Sequence, residues 1–323
     1  MKPKVFIAKP IPQEVEEFIA KHCDYKIWRE VEPIPEDILL KEIADVEGLM
    51  TPKGIITEDL LRRAPHLKVV SNIAVGYDGF DIEAMKKRNV IGTHTPYVLD
   101  EAVADLVFGL ILSTSRRIVE FDRFVKDGEW SFNLDSQEYF GKDVHHAKLG
   151  IIGLGRIGEK IVRRAKLGFE MDVLYYNRSR KRDLEEKYDV QYRNMNDLLK
   201  ESDFVVLMLP LTEATYHTMG KEQFASMKRD AIFINCSRGQ VVDELALIEA
   251  LENNEIRAAG LDVFEIEPVQ KDNPLLKMKN VVTLPHIGSC TENTRFDMAM
   301  KAAENLVAAV TGQVPPNVVK ELQ

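Results

Sequence analysis

The stretch Gly153-Leu154-Gly155-Arg156-Ile157-Gly158 decides the fold of this 323-residue chain. An apolar run at residues 149–152 precedes it, and a helix-like segment follows it. Glycines between a strand and a helix allow a tight turn and a close approach to a pyrophosphate, and the helix N-terminus supplies amides and partial positive charge. The stretch therefore predicts a dinucleotide-binding Rossmann unit whose cofactor contacts come from Gly153, Gly155, Arg156, Ile157 and Gly158.

The residues after the next apolar run, 173–176, indicate which dinucleotide binds. An NAD-binding unit normally carries an acidic residue at this distance, which holds the ribose 2′-hydroxyl. This chain instead continues Asn177-Arg178-Ser179-Arg180-Lys181-Arg182. A basic cluster suits a 2′-phosphate, although a solvated basic helix start is the alternative. The sequence predicts NADP(H) as the preferred cofactor, with NAD(H) possible, and contacts from Asn177, Arg178, Ser179 and Arg180.

Composition and charge are those of an ordinary globular protein, with 45% hydrophobic and 29% charged residues. A net charge of −9 without a long basic stripe argues against nucleic-acid binding. Three scattered cysteines suit a reducing compartment, and no apolar stretch reaches the roughly 18 residues of a membrane span. We therefore expect a soluble cytoplasmic protein that acts on a small molecule and binds neither nucleic acid nor membrane.

Short apolar runs alternate with amphipathic segments, a pattern typical of parallel sheets covered by helices. Four runs precede the fingerprint, at residues 5–8, 48–50, 69–73 and 90–92. Six more runs follow, and the first of them is the run directly before the fingerprint. They lie at residues 149–152, 173–176, 204–209, 231–235, 259–261 and 281–283. The pattern predicts an α/β fold with two Rossmann-like, doubly wound parallel-sheet domains.

Two predicted helices connect these domains. The first covers residues 100–125, with Asp100 as its N-cap, and its portion at residues 102–112 is almost wholly apolar. We expect that portion to be buried between domains or against a second copy of the chain. The second helix, at residues 292–311, returns the chain to the first domain. The predicted division is a discontinuous substrate domain, residues 1–99 and 288–323, around a dinucleotide-binding domain, residues 100–287.

Arg238, Glu267 and His286 each follow one of the last three predicted strands. Because open parallel sheets bind ligands at the carboxyl ends of their strands, we expect these side chains to lie close together. Reduction of a carbonyl group needs a proton donor that titrates near neutral pH, for which histidine is suited. An arginine can hold an adjacent carboxylate through two hydrogen bonds. Each residue alone could be a salt-bridge, turn or strand-end residue, but the combination favours a catalytic site.

These motifs make the chain similar to the D-isomer-specific 2-hydroxyacid dehydrogenases over nearly its whole length. The resemblance rests on the fingerprint, Ser237-Arg238-Gly239, Asp262-Val263-Phe264, Glu267-Pro268 and Pro285-His286-Ile287-Gly288. It implies that Arg238 binds the substrate, that His286 is the acid/base and that Glu267 is the carboxylate partner of His286. It also implies a cleft between the domains and a homodimer built on the dinucleotide-binding domains.

The resemblance assigns further residues around the site. It implies that Val75 and Gly76 offer backbone amides to the substrate carboxylate, and that the loop with Lys53 flanks the same site. It also places cofactor contacts at Cys236, Asp262 and Ser289. Asn177 departs from the family pattern, because NAD-dependent members carry an acid there, and this supports NADP(H). Within the family, the chain most resembles glyoxylate/hydroxypyruvate reductases and bacterial 2-ketogluconate reductases.

The sequence therefore predicts NADPH-dependent reduction of small 2-oxo acids, such as glyoxylate, hydroxypyruvate or 2-ketogluconate, to D-2-hydroxy acids. One alternative is NAD-dependent oxidation of a D-2-hydroxy acid, and another is a dinucleotide-sensing scaffold like the corepressors of this fold. Nucleophilic catalysis by Cys236 or Cys290 is disfavoured because neither has a fixed base beside it. No metal is expected, because adjacent histidines at positions 145 and 146 point apart and no further ligand set accompanies them.

Overall fold

The computed structural model describes residues 1–52 and 54–323, which form two compact units. The first unit consists of Met1–Leu99 and Cys290–Gln323, and the second is Asp100–Ser289. Each unit has one sheet whose strands all pair in parallel, with helices between them. The prediction of an α/β fold with two parallel-sheet domains is confirmed. The predicted substrate contact at Lys53 lies outside the described residues.

The sheet of the first unit has five strands: β1 (Lys4–Ile7), β2 (Asp24–Ile27), β3 (Gly48–Thr51), β4 (Val69–Asn72) and β5 (Ile91–Thr93). Their order is β2-β1-β3-β4-β5. The helices between them are α1 (Gln13–His22), α2 (Glu36–Glu42), α3 (Glu58–Arg63) and α4 (Ile82–Lys87). The sequence predicted every strand except β2. This strand lies at the edge and alternates exposed with half-buried residues, so it lacks the continuous apolar run of a buried parallel strand.

The sheet of the second unit has seven strands: β6 (Lys148–Ile152), β7 (Asp172–Tyr176), β8 (Gln191–Tyr192), β9 (Phe204–Leu207), β10 (Ile232–Asn235), β11 (Ala258–Leu261) and β12 (Val281–Thr283). Their order is β12-β11-β10-β9-β6-β7-β8. The helices are α5 (Asp100–Ser115), α6 (Ile118–Lys126), α7 (Arg156–Phe169), α8 (Arg182–Tyr188), α9 (Met195–Glu201), α10 (Lys221–Ala225) and α11 (Glu244–Glu252). The sequence predicted six of these strands and missed β8, a two-residue edge strand.

The prediction of one helix over residues 100–125 is wrong, because the segment forms two helices, α5 and α6. Arg117 lies between them in the left-handed conformation, with a φ of 55°, which interrupts the right-handed helical path. Its guanidinium donates to both carboxylate oxygens of Glu120 at 2.8 Å. No glycine or proline marks this break, so the helical pattern in the sequence continues across it.

Most apolar residues of α5 are buried within the second unit. The helix packs on α7 and on β10, β11 and β12. Val103, Val107 and Ile111 are 6%, 0% and 0% exposed, respectively. The sheet and α7 thus cover two faces of one helix, whereas Ala102, Leu106 and Leu112 stay half-buried, so the expected burial of residues 102–112 against another domain or a second copy stays a prediction.

A final helix, α12 (Glu292–Val310), belongs to the first unit. It packs on α1 and on strands β3, β4 and β5. A Cβ atom at Gly48 would lie 2.7 Å from Cδ1 of Leu306, so the glycine lets this helix approach β3 closely. The first unit is thus built from two separate chain segments. Across residues 1–52 and 54–323, no helix has the length and apolar character needed to cross a membrane.

Candidate active site

The glycine fingerprint lies at the turn between β6 and α7. Gly153 has a φ of 104°, and a Cβ there would lie 2.5 Å from the carbonyl oxygen of Met208, so the position requires glycine. Gly155 is the N-cap of α7 and makes no side-chain cap to the first helical amides. A Cβ on Gly155 would meet no heavy atom within 4 Å. This open space beside a helix N-terminus fits the pyrophosphate of a dinucleotide.

Arg156, the first residue of α7, is oriented by a buried acid. Its Nε donates to Oδ2 of Asp100 at 3.1 Å. The Asp100 side chain is 5% exposed, whereas that of Arg156 is 41% exposed. A buried anchor and an exposed guanidinium place a fixed positive charge beside the fingerprint, where phosphate oxygens are expected.

Asn177 follows β7, and its side chain holds the fingerprint turn. Its Oδ1 accepts a hydrogen bond from the Leu154 amide at 2.7 Å, and its Nδ2 donates to the Leu154 carbonyl at 3.0 Å. An aspartate could accept the first bond but would present its second oxygen to a carbonyl, which also only accepts. Asparagine therefore suits the glycine turn itself, a role that the sequence analysis missed.

The basic residues after Asn177 differ in what they contact. Arg178 and Ser179 are exposed, and neither makes a hydrogen bond or ion pair with another described residue. Arg180 instead donates to the two carboxylate oxygens of Glu185, at 3.0 and 2.6 Å. This pairing, together with a hydrogen bond from Tyr175, lowers the pKa of the Glu185 carboxyl to about 2. Of Arg178 and Arg180, Arg178 is therefore the one that remains available for a phosphate.

The ends of β11 and β12, neighbouring strands, carry a histidine–carboxylate pair. His286 Nδ1 lies 3.0 Å from Oε1 and 2.8 Å from Oε2 of Glu267. Because a carboxylate only accepts, Nδ1 carries a proton, and Nε2 is the ring nitrogen that can exchange one. The two side chains are 26% and 31% exposed, respectively, so solvent screens their attraction only in part. The structure thus places His286 in contact with Glu267, two residues that the sequence singled out for catalysis.

Asp262 holds the loop that carries His286. Its backbone carbonyl accepts from the His286 amide at 2.9 Å, and its carboxylate accepts from the amides of Ile287 and Gly288 at 2.7 and 2.8 Å. Burial raises the pKa of the Asp262 carboxyl, and the two amides oppose that rise. His286 itself has a φ of 55°, a strained conformation that this network fixes. Asp262 therefore positions His286, while its predicted cofactor contact stays a prediction.

Asn235, the last residue of β10, organises the turn that presents Arg238. Its Oδ1 accepts from the amide and hydroxyl of Ser237 at 3.0 and 2.9 Å, and its Nδ2 donates to the Arg238 carbonyl at 3.1 Å. A Cβ at Gly239 would lie 1.8 Å from the carbonyl oxygen of Phe264, so only glycine lets this turn pack against the loop after β11. Asn235 was not among the residues predicted from the sequence, although an asparagine two residues before a serine is a signal for such local bonding.

The two other predicted cofactor contacts flank these loops. Cys236 follows β10 directly, and burial raises the pKa of its thiol well above the usual value. The thiol therefore remains protonated at neutral pH, the form that is a poor nucleophile. Ser289, which ends the second unit, follows the Asp262-bound Gly288 and is half-buried. Their assignment to the cofactor stays a prediction.

A second histidine–glutamate pair, which the sequence analysis missed, braces the segment before Glu267. His217 Nε2 lies 2.9 Å from Oε1 of Glu265. The Glu265 carbonyl accepts from Gln240 Nε2 at 2.7 Å, and its amide donates to Glu244 at 3.0 Å. His217 thus holds the side chain of Glu265, and Gln240 and Glu244 hold its backbone, two residues ahead of the glutamate that contacts His286.

The first unit contains the other predicted substrate contacts, in the turn after β4. Val75 and Gly76 are half-buried, and within the described part of the chain their amide N–H groups donate to no acceptor. Half-buried amides without an acceptor in the protein are a suitable site for an anionic oxygen. This geometry is compatible with the amide contacts to a carboxylate that the sequence analysis assigned to this turn.

Comparisons with known proteins identify relatives of the whole chain. Residues 108–288 match the family described as "D-isomer specific 2-hydroxyacid dehydrogenase, NAD binding domain". The glyoxylate/hydroxypyruvate reductase B of Klebsiella pneumoniae is 47% identical over 319 residues, which cover 99% of this chain and 98% of that protein. A solved structure from Thermus thermophilus has a TM-score of 0.91 at 37% identity and covers 98% of this chain and 99% of its own.

A second solved structure contains ligands. It is an NADPH-dependent glyoxylate/hydroxypyruvate reductase from Sinorhizobium meliloti in complex with NADP and malonate. It has a TM-score of 0.84 at 29% identity and covers 100% of this chain and 98% of its own. The similarity therefore extends over both units of the chain.

Proposed function

Because the chain belongs to the D-isomer specific 2-hydroxyacid dehydrogenase family and is thus an oxidoreductase with a nicotinamide dinucleotide cofactor, we propose that it reduces small 2-oxo acids with NADPH. The products are D-2-hydroxy acids. The contact of His286 with Glu267 carries this proposal, because it supplies a proton donor at the strand ends where ligands bind. The names of the relatives, and the malonate bound by one of them, support small carboxylates such as glyoxylate and hydroxypyruvate. The larger 2-ketogluconate shares the same 2-oxo acid group.

The reaction needs a hydride, a proton and a fixed substrate. A reduced nicotinamide supplies the hydride when the cofactor is bound. His286 donates the proton on Nε2 to the carbonyl oxygen as negative charge develops there. Glu267 stabilises the imidazolium before this transfer and keeps the ring oriented after it.

Substrate binding requires groups that recognise a carboxylate. Arg238 provides a planar guanidinium that can donate two parallel hydrogen bonds, which fixes the orientation of the carboxylate as well as its charge. The amides of Val75 and Gly76 add donors whose direction the backbone sets. Direct assay of NADPH oxidation with a panel of 2-oxo acids tests the proposed function, and a chain inactive with every 2-oxo acid and both nucleotides would refute it.

Arg178 should set the preference for NADPH. We expect Arg178→Ala to lower kcat/KM for NADPH by about 10- to 100-fold, since a hydrogen bond to a charged group contributes about 1.5–3 kcal/mol. The value for NADH should hardly change, because NADH has no 2′-phosphate. Steady-state kinetics with each nucleotide give the ratio of kcat/KM for NADPH to kcat/KM for NADH.

Arg180→Ala is the matched control for this experiment. This variant removes the same charge two residues away, but the guanidinium of Arg180 is already bound to Glu185 in the wild type. Its effect on the NADPH/NADH ratio should be much smaller. An unchanged ratio in Arg178→Ala, or an equal fall in both variants, would contradict the assignment.

We also propose that the chain forms a homodimer through the second unit. Within α6 no residue is buried, and Ile118, Val119 and Val125 are 50%, 48% and 51% exposed. Aromatic rings from α6 and the segment after it contact one another at centroid distances of 5.7–6.4 Å; they belong to Phe121, Phe124, Phe132 and Tyr139. Exposed apolar side chains on a helix beside such a cluster of rings are typical of a protein interface.

Light scattering tests this interface. The wild-type chain should give twice its mass of 36.8 kDa, and the double variant Val119→Asp with Val125→Asp should give the monomer. Val31→Asp is the control, because Val31 is 92% exposed on the first unit and should leave the dimer intact. A monomeric wild type, or a double variant that remains dimeric, would rule out this surface.

A further inference from the structure

Three consecutive carbonyl groups in the turn after β4 each accept a hydrogen bond. The Ala74 carbonyl accepts from the Thr95 amide at 3.0 Å. The Val75 carbonyl accepts from His94 Nδ1 at 2.9 Å, and the Gly76 carbonyl accepts from Asn72 Nδ2 at 2.7 Å. The proposed mechanism assigns no role to these donors. They come from the ends of β4 and β5, which are neighbours in the sheet.

Peptide planarity couples these carbonyls to the amides of the following residues. In a trans peptide the C=O of one residue and the N–H of the next lie in one plane and point in opposite directions. A donor that fixes the Val75 carbonyl therefore also fixes the direction of the Gly76 N–H. In the same way, the bond to the Ala74 carbonyl fixes the Val75 N–H. These are the two amides proposed to bind the substrate carboxylate.

His94 is itself held firmly. Its amide donates to the Asn317 carbonyl at 3.1 Å, and its carbonyl accepts from Asn305 Nδ2 at 3.1 Å. Its ring meets the Tyr77 ring edge-on, with 5.3 Å between the centroids. Asn305 lies on α12 and is 0% exposed, so the second chain segment of the first unit anchors this histidine. A side chain fixed in this way can fix the peptide that it contacts.

We infer that His94 is a positioning residue, which aims the Gly76 amide at the substrate carboxylate by binding the Val75 carbonyl. The inference rests on the proposed reduction of 2-oxo acids. A peptide released from His94 can rotate, and rotation turns the Gly76 N–H away from the carboxylate. Loss of the hydrogen bond from His94 should therefore weaken binding of the carboxylate while leaving the proton donor and the cofactor site unchanged.

Two substitutions separate the hydrogen bond from the bulk of the ring. His94→Leu removes the donor, whereas His94→Asn retains one, because the amide nitrogen of asparagine can take the place of Nδ1. We expect His94→Leu to raise KM for hydroxypyruvate about tenfold, as for loss of one hydrogen bond to a charged group, with a smaller change in kcat. KM for NADPH should stay at the wild-type value, and His94→Asn should recover most of the affinity for hydroxypyruvate.

Oxamate provides a second measurement, because it carries the carboxylate but is not reduced. Its inhibition constant should rise in His94→Leu by the same factor as KM. If thermal unfolding shows that His94→Leu does not fold, His94→Asp replaces it as the variant without a donor. Aspartate and asparagine have the same size, so His94→Asp and His94→Asn differ only in whether a donor is present. Aspartate at this position presents only acceptors, so it should raise KM and the oxamate constant, whereas asparagine should not.

Two results would overturn the inference. In one, KM and the oxamate constant are unchanged in the variants without a donor. In the other, the variants with and without a donor are equally impaired, which would indicate that only the packing of the ring matters. Failure of the proposed function is distinguishable from both, because the wild-type chain would then reduce no 2-oxo acid.

Discussion

The His286→Ala variant is expected to reduce hydroxypyruvate about 10²- to 10⁴-fold more slowly than the wild type, the usual effect of losing a general acid. Its affinity for NADPH should be retained, because the fingerprint and Arg178 lie on the loops after β6 and β7 rather than after β12. Single-turnover kinetics and a fluorescence titration with NADPH measure the two effects separately. Equal losses of rate and of cofactor affinity would indicate a general disturbance of the second unit, not the removal of a proton donor.

The two directions of the reaction should depend on pH in opposite ways. Reduction requires the imidazolium of His286, so its rate should fall as pH rises. Oxidation of the D-2-hydroxy acid requires the neutral ring, so its rate should rise over the same pH interval. Glu267→Gln removes the carboxylate that accepts from His286 Nδ1, and the rates of both directions should then fall. Wild-type rates of both directions in Glu267→Gln would separate Glu267 from the chemistry of His286.

The Arg238→Lys variant is expected to raise KM for the 2-oxo acid by on the order of 10- to 100-fold, since it keeps the charge but loses the two-pronged hydrogen bond. Arg238→Ala, which removes the charge as well, should have the larger effect. KM for NADPH should remain near its wild-type value in both. Steady-state kinetics with hydroxypyruvate as the varied substrate measure this difference.

A surface arginine in the same unit is a control for the arginine-to-lysine exchange. Arg229 is exposed and donates only to the Asn254 carbonyl, at 3.1 Å, among the contacts of the described chain. Arg229→Lys should leave every kinetic constant unchanged. A wild-type KM for the 2-oxo acid in Arg238→Lys would exclude Arg238 as the group that recognises the carboxylate.

The sequence predicted the central strands because burial on both faces requires continuous apolar runs. This holds for β10, β11 and β12, whose ends carry the candidate catalytic residues. The edge strands β2 and β8 lack such runs, so they could not be recognised in this way. The interruption between α5 and α6 also left no signal, because it depends on the left-handed conformation of Arg117 and not on a glycine or proline.

The residues that position the site were harder to predict than those proposed to act in it. Arg238, Glu267 and His286 fall in motifs, whereas His94 contacts a carbonyl 19 positions earlier in the chain. Only the parallel pairing of β4 with β5 brings these groups together. Asp262 fell in a motif, but its bonds to the amides after His286 depend on the pairing of β11 with β12. Hydrogen bonds from side chains to backbone groups far away in the sequence can therefore be identified only from the folded structure.

The basic cluster shows a different limit of sequence reasoning. Arg178 and Arg180 carry the same charge and lie two positions apart, so their roles cannot be separated from the sequence. In the structure Arg180 pairs with Glu185 and Arg178 does not, which gives the two residues different expected effects on cofactor choice.

Reduction of hydroxypyruvate with NADPH, followed by chiral analysis of the product, tests whether this chain is a D-specific reductase with His286 as its proton donor. Glyoxylate is less informative here, because its reduction product, glycolate, has no stereocentre. The proposed mechanism predicts that the wild-type chain forms D-glycerate and that His286→Ala forms it about 10²- to 10⁴-fold more slowly. Formation of L-glycerate, or a wild-type rate in His286→Ala, would contradict it.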